Sequence, residues 1–328
     1  MDREHGEPDR VDTALVINNL LSAPVLAFVL AVGLTLGRFD VRLPEALPPT
    51  LAAYLLFAIG LKGGRSLGAS TPSELLGPLA AALVIGAVTP VIAFGAMRGI
   101  VRLDRSDAAG VAAHYGSVSA VTFIVALATI EARGLVVEGV IAGLLAVLEV
   151  VGIVVGLALA SRRSRDGSWS DAVAEVVRGR SIALLLLGLA VGVIAGDLRL
   201  EPVDPLFVGL LQGALVLFLI EMGAIAAERL RDVSQVGGRL VLAAILVPVV
   251  NGAVGAVLGS LAGLSTGGTA VLATLAASAS YIAAPAAVRV ALPQANPALS
   301  ISASLGVTFP FNLIIGIPLY LWFATQLT

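Results

Sequence analysis

Apolar stretches of about 20 residues recur along this chain from residue 14 almost to its end, and no other feature constrains its fold as much. A helix of that length crosses the roughly 30 Å hydrocarbon core of a bilayer, where every backbone polar group must pair internally. Transmembrane strands read instead as about 10-residue segments of alternating polarity, which these stretches do not show. Composition agrees: of 328 residues, 58% are hydrophobic and 13% charged, against about 25% charged in an ordinary soluble domain. The expected fold class is an all-α integral membrane protein, multi-pass in a lipid bilayer.

Ten spans are expected, at 14–36, 46–62, 74–97, 106–131, 136–161, 180–196, 204–228, 236–262, 267–291 and 297–326. The second and sixth are short. The one clearly polar connector, SRRSRDGSWSDAVAEVVRG at 161–179, divides the chain near its middle. The expected organisation is a disordered N-terminal tail (1–13), a first repeat (14–161), a cytoplasmic connector (162–179) and a second repeat (180–328). Cytoplasmic loops carry the excess of Lys and Arg. With the N-terminus outside, fourteen basic residues fall on inner loops, five of them in or beside the connector (Arg162, Arg163, Arg165, Arg178 and Arg180). Six fall outside: Arg3, Arg10, Lys62, Arg65, Arg133 and Arg199. Both termini are therefore expected outside.

The two parts resemble each other. GLTLG at 33–37 matches GVIAG at 192–196, FAIGLKGGRSL from Phe57 matches IEMGAIAAERL from Ile220, and SVSAV from Ser117 matches SASYI from Ser278, at offsets of 159, 163 and 161. Three matches in order at nearly constant offset point to duplication. Five spans per repeat is odd, so the second copy enters the membrane from the opposite side. The expected architecture is thus a five-plus-five inverted repeat of ten transmembrane helices. Many secondary transporters are built this way, with a site near the midplane where discontinuous helices meet.

Several function classes are disfavoured. The chain has no Cys and two His, His5 and His114, so thiolate metal sites, Fe–S clusters and disulfides drop out and no cofactor is expected. A net charge of -2 offers no footprint for nucleic acid. The segment before the first apolar stretch is acidic, unlike the basic start of a signal peptide. HExxH and Asp-rich diphosphate motifs do not occur, so an enzyme is not expected.

Helices 4 and 9, at equivalent places in the repeats, are expected to be broken. His114, Tyr115, Gly116, Ser117, Val118, Ser119 and Ala120 interrupt one, and Ala277, Ser278, Ala279, Ser280, Tyr281 and Ile282, followed by Pro285, interrupt the other. Serine is a favoured N-cap and proline is tolerated in a first helical turn. Half-helices starting near Ser119 and Ser280 would aim their N-termini, with backbone N–H groups and dipoles, at one place suited to a small anion. Close helix packing is the alternative for either break, and patterns such as Gly255, Gly259 and Gly263 read as packing.

Ionisable groups inside spans are costly and mark function by default. Glu149, between LLAVL and VVGIVV in the fifth span, is a candidate cation site or a structural hydrogen bond to a neighbouring helix. Glu221 offers the same two readings, His114 reads as a packed, hydrogen-bonded residue, and Lys62 and Arg289 can snorkel at span ends. In the tenth span Ser302, Ser304, Thr308 and Asn312 follow helical spacing and Pro310 frees a carbonyl. That stripe either helps to hold Na+ or makes helix contacts.

Together these segments resemble the SbtA-type sodium-dependent bicarbonate transporters: IGLKGG at 59–64, GSVSAVT at 116–122, DPLFVGLL at 204–211, ASASYIAAP at 277–285 and LPQANPALSISAS at 292–304. The resemblance spans nearly the whole chain from about residue 14, with DPLF and the ANP stretch its most specific pieces. It implies a core and a gate domain, a homotrimer in the bacterial plasma (inner) membrane, and Na+-coupled import of bicarbonate bound between the broken helices. It also implies a cytoplasmic PII-like regulatory partner. Carried over by position, the bicarbonate region is Gly116, Ser117, Ser119 and Thr122 with Ser278 and Ser280, and Glu149 stands where the family has an Asp for Na+. The sequence departs from the family in Glu149 itself, in lacking adjacent prolines there, and in Tyr281, where an Asp usually follows the serines. The leading expectation is a bicarbonate–Na+ symporter working by alternating access. The alternatives are H+- or Na+-coupled transport of another small anion, and a channel or membrane sensor bound to a cytoplasmic partner.

Overall fold

A computed structural model of the chain describes residues 13–160 and 169–328. The expected tail up to residue 12 and the Arg162, Arg163 and Arg165 stretch lie outside the described residues. Among the described residues all regular structure is helical. In chain order the helices are α1 (Thr13–Leu20), α2 (Ala23–Leu36), α3 (Leu47–Gly68), α4 (Pro72–Ala96), α5 (Arg105–Gly116), α6 (Ala120–Glu131), α7 (Val140–Ala158), α8 (Trp169–Val177), α9 (Arg180–Leu200), α10 (Leu211–Val236), α11 (Gly238–Leu261), α12 (Thr266–Ala277), α13 (Ala283–Ala291), and a last rod of α14 (Pro297–Ile301), α15 (Phe309–Phe311) and α16 (Ile317–Leu327) joined by π-helical turns.

Local chemistry places these ends. Thr71 and Glu74 form a capping box at the start of α4, the Asp104 carboxylate accepts the Asp107 N–H at α5, and Ser265 accepts the Gly268 N–H at α12. Each satisfies a backbone donor that a helix start leaves free. Ser22, extended at φ -63° and ψ 140°, separates α1 from α2, and Pro24 sits in the first turn of α2, where no intrahelical partner exists for the N–H it lacks.

Among the described residues six helical runs are long and apolar enough to cross a membrane: Pro72–Val101, Arg105–Glu131, Val140–Ala158, Leu211–Arg231, Gly238–Leu261 and Pro297–Leu327. Asp171–Val177 with Arg180–Gly196, bent by 45°, makes a seventh if taken together. The remaining expected spans are helical, but each falls short for a visible reason. The first is divided between α1 and α2, α3 carries Lys62 and Arg65, and the ninth is interrupted between α12 and α13. The sixth, α9, is helical through Leu200 but turns at Gly196, where φ is 65°. The connector also differs from an irregular linker: α8 lies in it, with Ala172 and Val176 buried one helical turn apart and packed toward α13.

Helices pair by close approach. Gly60 and Gly64 on α3 face Gly188 and Gly192 on α9 so tightly that a Cβ at any of the four would collide with the opposite backbone. Without a hydrophobic drive between helices in lipid, such small-residue contacts supply the packing. α3 thus pairs with α9 and α2 with α10, while α4–α7 interleave with α11–α16. Gly255 and Gly259 pack on α12 as expected, whereas Gly263 has φ 77° and open space around it. It terminates α11 as a left-handed turn residue, a role glycine fills without Cβ strain, and not as a packing contact.

Candidate functional site

The two breaks lie against one another. α5 stops at Gly116, whose Cα has no room for a side chain between Pro90 and the Gly152 carbonyl of α7. Ser117 then runs extended (φ -80°, ψ 166°), and Ser278, after α12, has nearly the same conformation (φ -82°, ψ 167°). The Ser119 N–H donates to Ser278 Oγ at 2.9 Å, and the Ser280 N–H donates to the His114 carbonyl at 2.8 Å. His114 Nδ1–H donates to the Ser280 carbonyl at 2.7 Å, the only sense possible because a carbonyl oxygen accepts. His114 is therefore a clamp that holds Ser280 from both sides of its backbone.

From this crossing two helices start. Ser119 Oγ accepts the Thr122 N–H at 3.2 Å and caps α6. Ser280 Oγ accepts the Ala283 and Ala284 N–H groups at 3.3 Å at the head of α13. A serine that accepts as a cap keeps its own O–H as a donor, so each helix head presents partial positive charge and one hydroxyl proton.

Beside them lies a small chamber lined by Val118, Ser119, Ala120, Glu149, Ser280 and Tyr281. Glu149 comes from the middle of α7, is 2% exposed, and its Oε2 has no hydrogen-bond partner. The Tyr281 hydroxyl is also buried, beside Ser119, with the ring edge-to-face on Phe309 at 5.4 Å. Leaving a buried carboxylate oxygen unpaired is expensive unless something else visits it. The chamber shares Ser181, Tyr281 and Ile282 with a larger cavity of about 400 Å³, mostly apolar and with Arg180 on its wall. That cavity reaches Pro48 and Pro49 at the head of α3. Toward the other end of α3, Lys62 pairs with Glu131 of α6 at 2.6 Å across a narrow crevice.

The other expected residues are distributed differently. Ser117, Thr122 and Ser278 are buried around the crossing and do not line the chamber; the Ser117 hydroxyl has no partner. Three residues of the tenth-span stripe have hydrogen-bond partners, one within the same rod and two on neighbouring helices. Ser304 Oγ donates to the Ser300 carbonyl at 2.8 Å, Thr308 Oγ1 to the Ala244 carbonyl at 2.6 Å, and Asn312 Nδ2 to the Ala277 carbonyl at 2.9 Å, while Tyr320 donates to Asn312 Oδ1 at 2.8 Å. Ser302 is buried beside them. π-helical turns at Ser302–Thr308 and Asn312–Gly316 shift the stripe off ideal α spacing, as π-bulges do. Glu221, the other buried acid, accepts from Arg42 at 2.6 Å and from the Leu43 N–H at 2.9 Å, which gives it a structural role.

Compared with protein-family models, the chain matches the Na+-dependent bicarbonate transporter superfamily over residues 23–325. It belongs to that superfamily. A comparison with individually curated proteins gives no match. The match fits a membrane protein of a transporter family and weighs against an enzyme.

The segments that carry the family likeness have visible work in this superfamily member. The IGLKGG glycines make the α3–α9 contact. Asp204 of DPLF binds Arg65 of α3 through both carboxylate oxygens. Asn296 of the ANP stretch caps α14 with its side chain, and its N–H donates to Asp107 at 2.7 Å. Sequence reasoning missed Ser181 as a chamber residue and Asn251, which is fully buried in α11 with its whole carboxamide unpartnered. Asn251 had a signal, a polar residue inside an apolar span; Ser181, beside a polar connector, had none.

Proposed function

We propose that this protein is a secondary symporter that imports bicarbonate with Na+ by alternating access, built as ten spans in two inverted halves divided near the connector. The observation that carries it is the meeting of two serine-capped helix heads beside a buried, unpartnered Glu149. Bicarbonate sits against the heads of α6 and α13, taking the Ser119 and Ser280 hydroxyl protons and the partial charge of both helix ends. Gly116 and Ser117 shape the bend, while Thr122 and Ser278 hold the two serine loops in register. Glu149 carries Na+. The hydroxyls and carboxamide of Ser304, Thr308 and Asn312 already serve neighbouring carbonyls, so the stripe with Ser302 supports the core and leaves the ion to Glu149.

Alternating access is supported by the asymmetry around the chamber. The cavity toward Arg180 leads to the side that the arginine distribution makes cytoplasmic, and the opposite end of α3 is closed by Lys62 and Glu131. α2, α3, α9 and α10 form the gate and the interleaved helices the core. The homotrimer, the inner-membrane location and a PII-like regulator rest on family likeness alone.

The test is uptake of labelled bicarbonate into proteoliposomes with and without an inward Na+ gradient. The gradient is expected to drive accumulation in the native protein and to have no effect in Glu149→Gln. Uptake that follows a pH gradient and ignores Na+ would move Glu149 to proton coupling, the second reading that its unpartnered oxygen favours. Uptake indifferent to both gradients and to the substitution sinks the mechanism.

A further inference from the structure

Among the described residues two carboxylates are buried, in opposite situations. Glu221 is neutralised by Arg42 at 2.6 Å. Glu149 has no ion-pair partner among the described residues, and the residues around it in the chamber, Val118, Ser119, Ala120, Ser280 and Tyr281, carry no charge near neutral pH. Its Oε2 has no hydrogen bond, and the Tyr281 hydroxyl, beside Ser119, is a second buried oxygen on the same chamber. The ring contact of Tyr281 with Phe309 keeps that hydroxyl at the chamber wall. The chamber therefore holds one carboxyl group able to carry a negative charge and one neutral oxygen able to serve an ion.

Charge balance then limits what can enter. An anion placed beside a bare buried carboxylate meets like-charge repulsion in a poorly screened setting. One monovalent cation on Glu149 cancels that charge and leaves the anion to the helix heads. A second cation finds no second side-chain carboxylate on the chamber, so only the anion itself could pair with it.

We propose that Glu149 and Tyr281 together set the coupling at one Na+ per anion, Glu149 supplying the charge that holds the ion and Tyr281 a neutral oxygen ligand, so that the transport cycle is electroneutral. This rests on the Na+ symport reading above and deepens it. Na+ and bicarbonate crossing together move no net charge, so the membrane potential does no net work over a complete cycle. With two Na+ per bicarbonate one net positive charge would cross, and about 100 mV, inside negative, would raise the steady accumulation ratio about 50-fold.

Two measurements on the full-length protein decide it. Binding of radioactive Na+ to purified protein is expected to give one ion per chain, lost in Glu149→Gln. Accumulation of labelled bicarbonate in proteoliposomes, with the potential clamped at zero or at about 100 mV inside negative, is expected to be the same at both settings. Two ions per chain, none, or a potential-driven rise overturns the proposal. Tyr281→Phe is expected to keep the count at one and weaken Na+ binding about tenfold. Tyr281→Asp adds a second carboxylate and is expected to bind two ions and respond to the potential; a transporting Tyr281→Asp protein that still binds one ion overturns the role of residue 281. Should Tyr281→Asp fail to fold, the native protein's ion count and voltage response still decide the ratio. Absence of any Na+-driven uptake would count against the symport reading itself, while the binding experiment still reads the number of ions.

Discussion

Ser119 and Ser280 each serve two ends with one hydroxyl. The oxygen accepts a backbone N–H at a helix start, and the proton remains for an anion. Ser119→Ala removes both, and its expected cost is about 1 kcal/mol of stability for the lost cap and about a tenfold loss in apparent bicarbonate affinity. Ser119→Thr, which keeps a capping hydroxyl, restores most of each. Thermal unfolding in detergent and the concentration dependence of uptake measure the two effects separately. Equal losses in the alanine and threonine variants would mean that the hydroxyl is not the group that matters. Nearby, the Ser117 hydroxyl is buried without a partner, so its side chain marks a place where the fold tolerates an unpaired oxygen and not a second cap. The sequence pointed to all these serines at once, because Ser-rich interruptions of an apolar span are visible locally. Which hydroxyl caps, which bridges and which is idle depends on the partner segment more than 150 residues away.

The same division appears between helices. Four glycines bring α3 and α9 into backbone contact, and Gly64→Ala would place a methyl group about 2.9 Å from Gly192 Cα. Overpacking of this kind costs about 1–3 kcal/mol. Gly95 in α4 faces open space, so Gly95→Ala is expected to be neutral or slightly stabilising, since alanine is the better helix former. Thermal unfolding of the two variants side by side checks the contrast, and similar losses would refute the packing account. The Lys62–Glu131 pair, 38% and 32% exposed, is a weaker fastener: half-exposed ion pairs contribute about 0–1 kcal/mol. A contact this weak suits an interface that has to open. Element boundaries were largely legible, because caps such as Asp104, Ser265 and Asn296 obey local hydrogen-bond rules. The helix α8 inside the polar connector was not, since nine residues of mixed polarity become a helix only when Ala172 and Val176 find α13 to pack on.

At the scale of the molecule the chain is long apolar helices packed through small residues around a polar crossing. The proposed orientation gives a direct test, and the absence of Cys makes it clean. Val136 between α6 and α7 and Val177 at the end of α8 are 72% and 47% exposed. In intact cells Val136→Cys is expected to react with a membrane-impermeant thiol reagent, and Val177→Cys only after permeabilisation. The reverse pattern would invert the proposed topology. The sequence by itself determined that the chain is a bundle of membrane-length helices, that two of them break at serines, and that Glu149 is an anomaly, because span length, capping and the cost of a charge in hydrocarbon are local properties. Only the tertiary structure decided that Glu221 belongs to Arg42 while Glu149 belongs to no one, that Thr308 and Asn312 of the tenth-span stripe serve carbonyls of other helices, and that Tyr281 and Ser181 reach the chamber. Those outcomes depend on which helices meet, and a hydrogen bond or an ion pair has no sequence signature until the backbone brings its two ends within about 3 Å.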